Sequence, residues 1–234
     1  MANILICDDE RDIVNALNIY LSAAQHTIFE AFDGQQALDV LAKEDIQLVL
    51  MDVMMPRMDG LTATAAIRRV SNVPIILITA KSEDGDKVLG LDVGADDYIT
   101  KPFSPVEVQA RVRSHLRRYT RLGGADVGTG AAEGRLTVGG VELDDSAKAV
   151  TVDGDPVCLT PIEYNLLKLL MSHPGQVFSS AEIYRRVWNE TPLGSEGAVA
   201  VHIRHLREKI EAVPGQPRYL KVVWGHGYKM EGGK

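Results

Sequence analysis

The chain has 234 residues, of which 45% are apolar and 24% charged, with two cysteines and a formal net charge of −7. That gives room for one large domain or two smaller ones and excludes general disorder. Acids interrupt the first apolar run after position 7, no apolar stretch nears the ~20 residues of a bilayer span, and two cysteines make no disulfide framework. A cytoplasmic protein without a membrane partner is therefore expected.

Residues 1–119 alternate short apolar runs with helical patterns. The runs are NILIC (3–7), TIFEA (27–31), QLVLM (47–51), PIILIT (74–79) and DYIT (97–100). Between them lie helical stripes such as Ile13, Leu17 and Leu21, and after them Val108, Val112, Leu116 and Tyr119. Five βα units predict an α/β fold: a flavodoxin-like, doubly wound, five-stranded parallel sheet in the order 2-1-3-4-5. Cys7 falls in a buried strand and reads as an inert core thiol.

Residues 120–134, rich in glycine and alanine, read as a flexible linker. Residues 135–234 form a second domain with a different grammar. Short strands are broken by turns, and Asp153-Gly154 suits a hairpin. Thr160-Pro161-Ile162-Glu163 is a capping box with proline at the first helical position, and Ser179 with Glu182 makes a second one. A third helix is expected from near Ser195, with Val199, Ile203, Leu206 and Ile210 facing inward. A closing strand, Gly-x-Gly turn and strand complete a winged-helix α+β domain. Charge is divided unevenly: residues 1–119 carry 18 acids and 12 bases, whereas 201–234 carry seven bases and three acids. An acidic front and a weakly basic tail suggest two tasks.

In doubly wound sheets, ligands bind beyond the carboxyl ends of the strands. Strand 1 ends in Asp8 and Asp9, strand 3 in Asp52, strand 4 in Thr79, and strand 5 runs into Lys101-Pro102. Two charges 4 Å apart repel by roughly 4 kcal/mol at a protein-surface dielectric. Three carboxylates on one rim therefore call for a positive partner. Oxygen ligands without nearby His or Cys favour a hard cation, Mg2+ before Ca2+. Lys101 adds a second positive charge. A metal, a lysine and a hydroxyl around one carboxylate are the parts needed to transfer a phosphoryl group, with Asp52 attacking in line. Taken singly, each residue also has an ordinary structural reading; the combination is what is specific.

With the motifs CDDE, MDVMMPRMDG, ITA and GADDYITKPF, followed by LTPIEYNLLKLL, VHIRHLREKI and WGHGY, the chain resembles two-component response regulators of the OmpR/PhoB type over nearly its whole length. Its tail PRYLKVVWGHGYKM also resembles glycopeptide-resistance-type regulators. The resemblance implies a phosphoacceptor at Asp52 and Mg2+ ligation by Asp9, Asp52 and the Met54 carbonyl, with Asp8 through water. It implies a switch pair of Thr79 and Tyr98, a phosphate-contacting Lys101, and a cis bond at Lys101-Pro102. A sensor histidine kinase would be the donor, and the receiver would catalyse only its own phosphotransfer, not act as an enzyme on other substrates.

A homodimer is expected when the chain is phosphorylated, across the helix between strands 4 and 5, strand 5 itself and the helix after it. The resemblance pairs Lys87 with Glu107, Asp92 with Arg113, and Asp97 with Arg111 across a two-fold axis. Glu107 and Arg111, four apart, could instead pair within their own helix. In the second domain Gly197, Ala198, Ala200, His205 and Trp224 depart from the family pattern.

A helical wheel places Val201, Arg204, His205 and Glu208 outward, with Ala198 beside them. Double-stranded DNA is the expected partner. Val201 would touch a thymine methyl and Arg204 a guanine or a phosphate. His202, Arg207 and Lys209 would lie near the backbone, and His226 at a minor groove or simply in solvent. Two rivals remain. A Mg2+-dependent phosphohydrolase with an aspartyl nucleophile needs a general acid near Asp52, where Met54 stands. A phosphate-independent DNA-binding protein with a decayed receiver sits poorly with the complete set of acids, threonine and lysine.

Overall fold

β1 (Asn3–Cys7), β2 (Thr27–Ala31), β3 (Leu48–Asp52), β4 (Ile75–Thr79) and β5 (Asp97–Thr100) form one parallel sheet in the order β2-β1-β3-β4-β5. This is the expected doubly wound order. The computed structural model describes residues 1–80, 91, 93–123, 134–188 and 197–232. Its chain divides into two units, Met1–Tyr119 and Thr120–Lys234. Lys87, Asp92, Ser195 and most of the glycine-rich segment lie outside the described residues.

Every residue of β3 and β4 is buried, so both faces of the sheet are covered. On one face Ile4, Ile6, Leu48, Leu50, Ile76, Ile78 and Ile99 pack with α1 (Arg11–Ser22) and α4 (Pro105–Gly123). α2 (Gly34–Leu41) and α3 (Gly60–Arg68) pack against each other. Fully burying a leucine such as Leu50 stabilises by roughly 1.5–3 kcal/mol. The buried stripe of α1 is Val14, Leu17 and Leu21, while Ile13 is only half-buried. Spacings of 3 and 4 keep those three on one face, and Ile13 lies a third of a turn away from Val14.

In the second unit β6 (Arg135–Val138), β7 (Val141–Asp144), β8 (Ala149–Val152) and β9 (Asp155–Pro156) form an antiparallel sheet. Asp153 and Gly154 turn the β8–β9 hairpin with φ of 50° and 94°, the left-handed pair a two-residue turn demands. Among the described residues three helices follow: α5 (Pro161–Met171), α6 (Ser180–Trp188) and α7 (Gly197–Ile210). β10 (Leu220–Val223) and β11 (Gly227–Met230) close the chain as a hairpin. The Thr160–Glu163 capping box is reciprocal, with bonds of 3.4 and 2.8 Å. At α6 only one half forms: Ser179 Oγ accepts the Glu182 amide at 3.2 Å, while the Glu182 carboxylate accepts from Arg186 at 2.8 Å.

Candidate functional site

The ends of β1, β3 and β5 at the carboxyl edge of the parallel sheet bring Asp8, Asp52 and Lys101 together. Asp8 is fully buried and Asp52 is 4% exposed. The Lys101 ammonium lies between them, 2.9 Å from Asp8 Oδ2 and 2.8 Å from Asp52 Oδ1. Backbone bonds hold the frame. The Lys101 amide donates to the Thr79 carbonyl at 2.7 Å, so the end of β5 is tied to the end of β4. The Lys101-Pro102 peptide is cis. Asp52 Oδ2 accepts the Met54 amide at 2.6 Å, and Asp8 Oδ1 accepts the Glu10 amide at 2.9 Å.

Burial raises the Asp52 carboxyl above its ordinary range; the Lys101 hydrogen bond opposes the rise and the neighbouring Asp8 charge adds to it. Lys101 is itself partly buried, which disfavours its charge, yet its bonds to Asp52 and Asp8 carry it above the usual lysine range. The lysine is thus fixed as a cation between two carboxylates. Asp9 is exposed at the rim, as is Met54.

The three aspartates less one lysine leave two negative charges, which a divalent cation would balance. Among the described residues no three His, Cys, Asp or Glu side chains close on one point as a full metal cage would. Mg2+ does not need one: it keeps several waters and takes one or two carboxylates. The oxygen-only donors and the net charge therefore fit Mg2+.

Two residues of the site lacked an assigned role in the sequence. Glu10 reaches Lys101 at 3.5 Å from an exposed position. Gly60 begins α3 beneath the strand end, where a Cβ would lie 2.0 Å from the Asp52 carbonyl oxygen. Both stand in motifs already quoted, yet neither spacing nor residue type shows such a close approach. Asp33 is a third: nearly buried, it caps α2 by accepting the Gln36 amide at 2.9 Å and pairs with Arg57 in the loop after Asp52.

Thr79 is buried and Tyr98 half-buried. In the β4–β5 register Leu77 aligns with Tyr98 and Thr79 with Thr100. Side chains two apart share a face, so Thr79 and Tyr98 project from the same face one row apart.

On the expected dimer face, Arg111 is engaged within its own chain. It lies 2.8 Å from Asp97 and 3.3 Å from Glu107. Asp97 is buried and also contacts His115 Nε2 at 3.2 Å. Burial opposes the Asp97 charge, but Arg111 and His115 hold its carboxyl below the usual range. The Asp97–Arg111 pair expected between two chains thus already exists within one, because Arg111 projects from α4 toward the start of β5. Arg113 is exposed.

α7 corrects the wheel. Val199, Ile203, Leu206 and Ile210 are buried as expected, but so are Ala198, Val201, His202 and His205. A helix covered on more than one side buries more than its central stripe. α7 packs on both α5 and α6, and His202 lies 5.4 Å from the Trp188 ring of α6 and 6.4 Å from His205. Val201 and His205 are therefore not on an open face. Arg207 donates Nε and Nη2 to the Leu220 carbonyl at 3.0 and 2.9 Å, and Lys209 pairs with Glu163 at 2.7 Å. Arg204 stays half-exposed, 3.5 Å from Glu208, and His226 is exposed at the hairpin turn.

Comparisons with known proteins agree with this division. Residues 4–113 match the response regulator receiver domain, and residues 154–230 match the C-terminal domain of transcriptional regulatory proteins. The regulatory protein VanR of Enterococcus faecium is 38% identical over 229 residues, covering 97% of this chain and 98% of that one. The response regulator DrrB, described as a Thermotoga maritima OmpR/PhoB homologue, is 28% identical with a TM-score of 0.51, covering 99% of this chain and all of that one. A RitR mutant structure is 25% identical with a TM-score of 0.76 over the full length of both chains. With the acid–lysine rim on a parallel sheet in its first unit and a winged helix in its second, the chain belongs to the OmpR/PhoB-type two-component response regulators, a receiver domain joined to a DNA-binding transcriptional regulatory domain.

Proposed function

We propose that the chain is a transcription factor switched by phosphorylation of Asp52, with a sensor histidine kinase as donor and a phosphorylation-driven homodimer as the DNA-binding form. The observation that carries this is Lys101 held between Asp8 and Asp52 at 2.9 and 2.8 Å. Asp52 has one oxygen on the lysine and the other on the Met54 amide, and each keeps a lone pair. One of these oxygens attacks phosphorus while the bond to the phosphohistidine nitrogen breaks. Lys101 then moves from its carboxylates to the phosphoryl oxygens and stabilises their charge. Asp9, Asp52 and the Met54 carbonyl, with Asp8 behind them, are the residues that would hold Mg2+, which when bound neutralises charge on the transferred group.

Thr79 donates its hydroxyl to the new phosphoryl oxygens, and Tyr98, one row away on the same face, follows into the space left. Dimerisation then brings two winged helices onto neighbouring half-sites about one helical turn apart, raising effective concentration for domains with few free cations. The expected site is two direct-repeat half-sites. Arg204 is the base- or phosphate-reading residue of α7. Arg207 and Lys209 act by holding α7 in place. The protein works in the cytoplasm, where kinase output and DNA meet.

The test is incubation with acetyl phosphate and Mg2+, followed by intact mass, oligomeric state and DNA retention. One phosphoryl group is expected, lost in Asp52→Asn and with EDTA. Full labelling of Asp52→Asn at another residue would overturn the assignment. Steady release of phosphate from many donors per chain would favour the phosphohydrolase.

A further inference from the structure

The loop that joins β3 to α3, residues 53–59, carries the Met54 carbonyl away from Asp52 and returns the chain to Gly60. At its base the Val53 amide donates to the Ile78 carbonyl and the Gly60 amide to the Val53 carbonyl, each at 3.0 Å. Above the base the loop stands open: Met54 is 65% exposed, and Pro56 and Arg57 are exposed as well. A segment with so little buried surface has low local stability unless something holds its far side.

Arg57 sits on that far side in a conformation that needs a reason. Its φ is 66°, and the Met58 amide closes onto the Pro56 carbonyl at 2.8 Å, the strained positive-φ form of a γ-turn. Glycine would adopt that φ without the Cβ clash that an arginine meets. The side chain supplies the reason. The Arg57 guanidinium pairs with the carboxylate of Asp33, which is buried at the start of α2. Asp33 is itself fixed, since it accepts the Gln36 backbone amide at 2.9 Å and the Gln36 side-chain amide at 2.8 Å.

The same two segments meet again beside this pair. The Gly34 amide donates to the Met58 carbonyl at 3.1 Å, and a Cβ on Gly34 would lie 2.8 Å from Met58 Cγ. Cys7 Sγ lies 3.3 Å from the Asp33 carbonyl oxygen and 3.4 Å from Met55 Sδ. The turn from β2 into α2 is therefore a firm wall, and Arg57 is the loop's charged arm onto it. An ion pair with one partner in solvent adds little to global stability. Its effect is local, three residues from Met54.

From these observations we infer that Arg57 is a positioning residue of the phosphotransfer site. Acting through Asp33, it clasps the β3–α3 loop so that the Met54 carbonyl is held in one orientation before Mg2+ arrives. This rests on the reading that Asp9, Asp52 and the Met54 carbonyl hold the ion. With the clasp open, the loop samples several orientations. The apparent Mg2+ affinity then falls by the fraction of chains whose loop is competent. Groups that orient metal ligands from behind typically cost roughly ten- to hundred-fold in affinity when removed.

The experiment uses the full chain. Mg2+ binding is measured by titration calorimetry, labelling by acetyl phosphate is followed across Mg2+ concentrations, and amide hydrogen exchange of residues 53–59 is recorded in EDTA. Arg57→Gly removes the clasp and the backbone strain together. It is expected to weaken Mg2+ binding roughly ten-fold and to speed exchange in the loop, while thermal unfolding does not fall. The Mg2+ concentration for half-maximal labelling should rise by the same factor, with the maximal rate little changed. Arg57→Lys keeps the charge and should restore most of the affinity. Asp33→Asn keeps the cap on α2 and should match Arg57→Gly. The double variant should be no worse than either single one, because both break the same contact. The inference is overturned if Arg57→Gly binds Mg2+ as tightly as the wild type, if loop exchange in EDTA is unchanged, or if the two losses add. Failure of the wild type to bind Mg2+ sinks the metal-site reading itself, which separates the two.

Discussion

The receiver rim and the α7 helix use charge in opposite ways. At the rim, carboxylates are crowded and buried, and one lysine serves Asp8 and Asp52 at once. That arrangement is under-neutralised, and its remaining negative charge invites a further cation. On α7 two bases are tied up internally, Arg207 on a carbonyl and Lys209 on Glu163, while Arg204 stays half-exposed beside Glu208. A charge that its surroundings leave unbalanced announces a site. A charge matched at home announces a scaffold, even on a helix in a DNA-binding domain.

The sharpest way to break this comparison is to remove the shared lysine. Lys101→Met leaves two buried carboxylates without their cation and should cost about 3 kcal/mol of stability in EDTA, read by urea unfolding. Added Mg2+ should recover part of that loss. Equal loss with and without Mg2+ would mean that the rim does not gather the ion.

On α7 the contrast lies between neighbours. Arg204→Ala should lower specific DNA affinity by ~1–3 kcal/mol and leave unfolding unchanged. Arg207→Ala should lower stability by about 1 kcal/mol, and DNA binding only as a consequence. Equal losses on specific and random duplexes would make Arg204 a phosphate anchor. The reverse order of effects would show that the internal bonds of Arg207 do not define its role.

Arg111 tests whether a charge matched at home can be exchanged for one on a partner. Arg111→Glu and Asp97→Arg each make a repulsive pair within their own chain. Mixed together they are complementary only across a two-fold axis. Under beryllofluoride the single variants should sediment as monomers and the mixture as a dimer. A monomeric mixture, with the double variant dimeric, would keep the pair inside one chain.

Asp145 gives the smallest effect. It accepts the Tyr164 hydroxyl, Lys148 and Lys168, each at 2.8 Å. Burial opposes its charge, but these bonds lower its carboxyl to about 2 from an ordinary 3.8. A depressed carboxyl stabilises fully above its unfolded value and loses that contribution as pH falls through its folded value. The wild type should therefore lose an increment of stability between about pH 4 and 2 that Asp145→Asn lacks. Parallel acid-unfolding curves for the two, followed by circular dichroism, would exclude it.

The parallel sheet was legible because apolar runs of strand length recur between helical stripes, and the strand ends carry Asp8, Asp52, Thr79 and Lys101. Local rules also served at Asp153-Gly154 and Thr160-Glu163, whose partners are one to three residues apart. They failed where the partner is distant. Lys209 meets Glu163 across 46 residues and Arg207 meets Leu220 across 13, which no wheel displays. Val201, His202 and His205 were misjudged for the same reason: a wheel shows which side of a helix is apolar, not how many neighbours cover it. The half-formed box at Ser179 shows one local rule yielding to another, since Arg186 lies one turn from Glu182 and takes its carboxylate.

The close approach at Gly60 has a consequence for what mutation can reach. A methyl group there would occupy the Asp52 carbonyl oxygen, so even alanine must push α3 away from the strand that carries the candidate phosphoacceptor. Two residues beyond Asp52, Met54 is mostly exposed and has room for other side chains. In a saturation library scored for folded protein, position 60 should return glycine almost alone while position 54 tolerates most residues. Lineages that diverge at this rim are therefore free to retune the surface around the carboxylate, but not the hinge between its strand and the helix below.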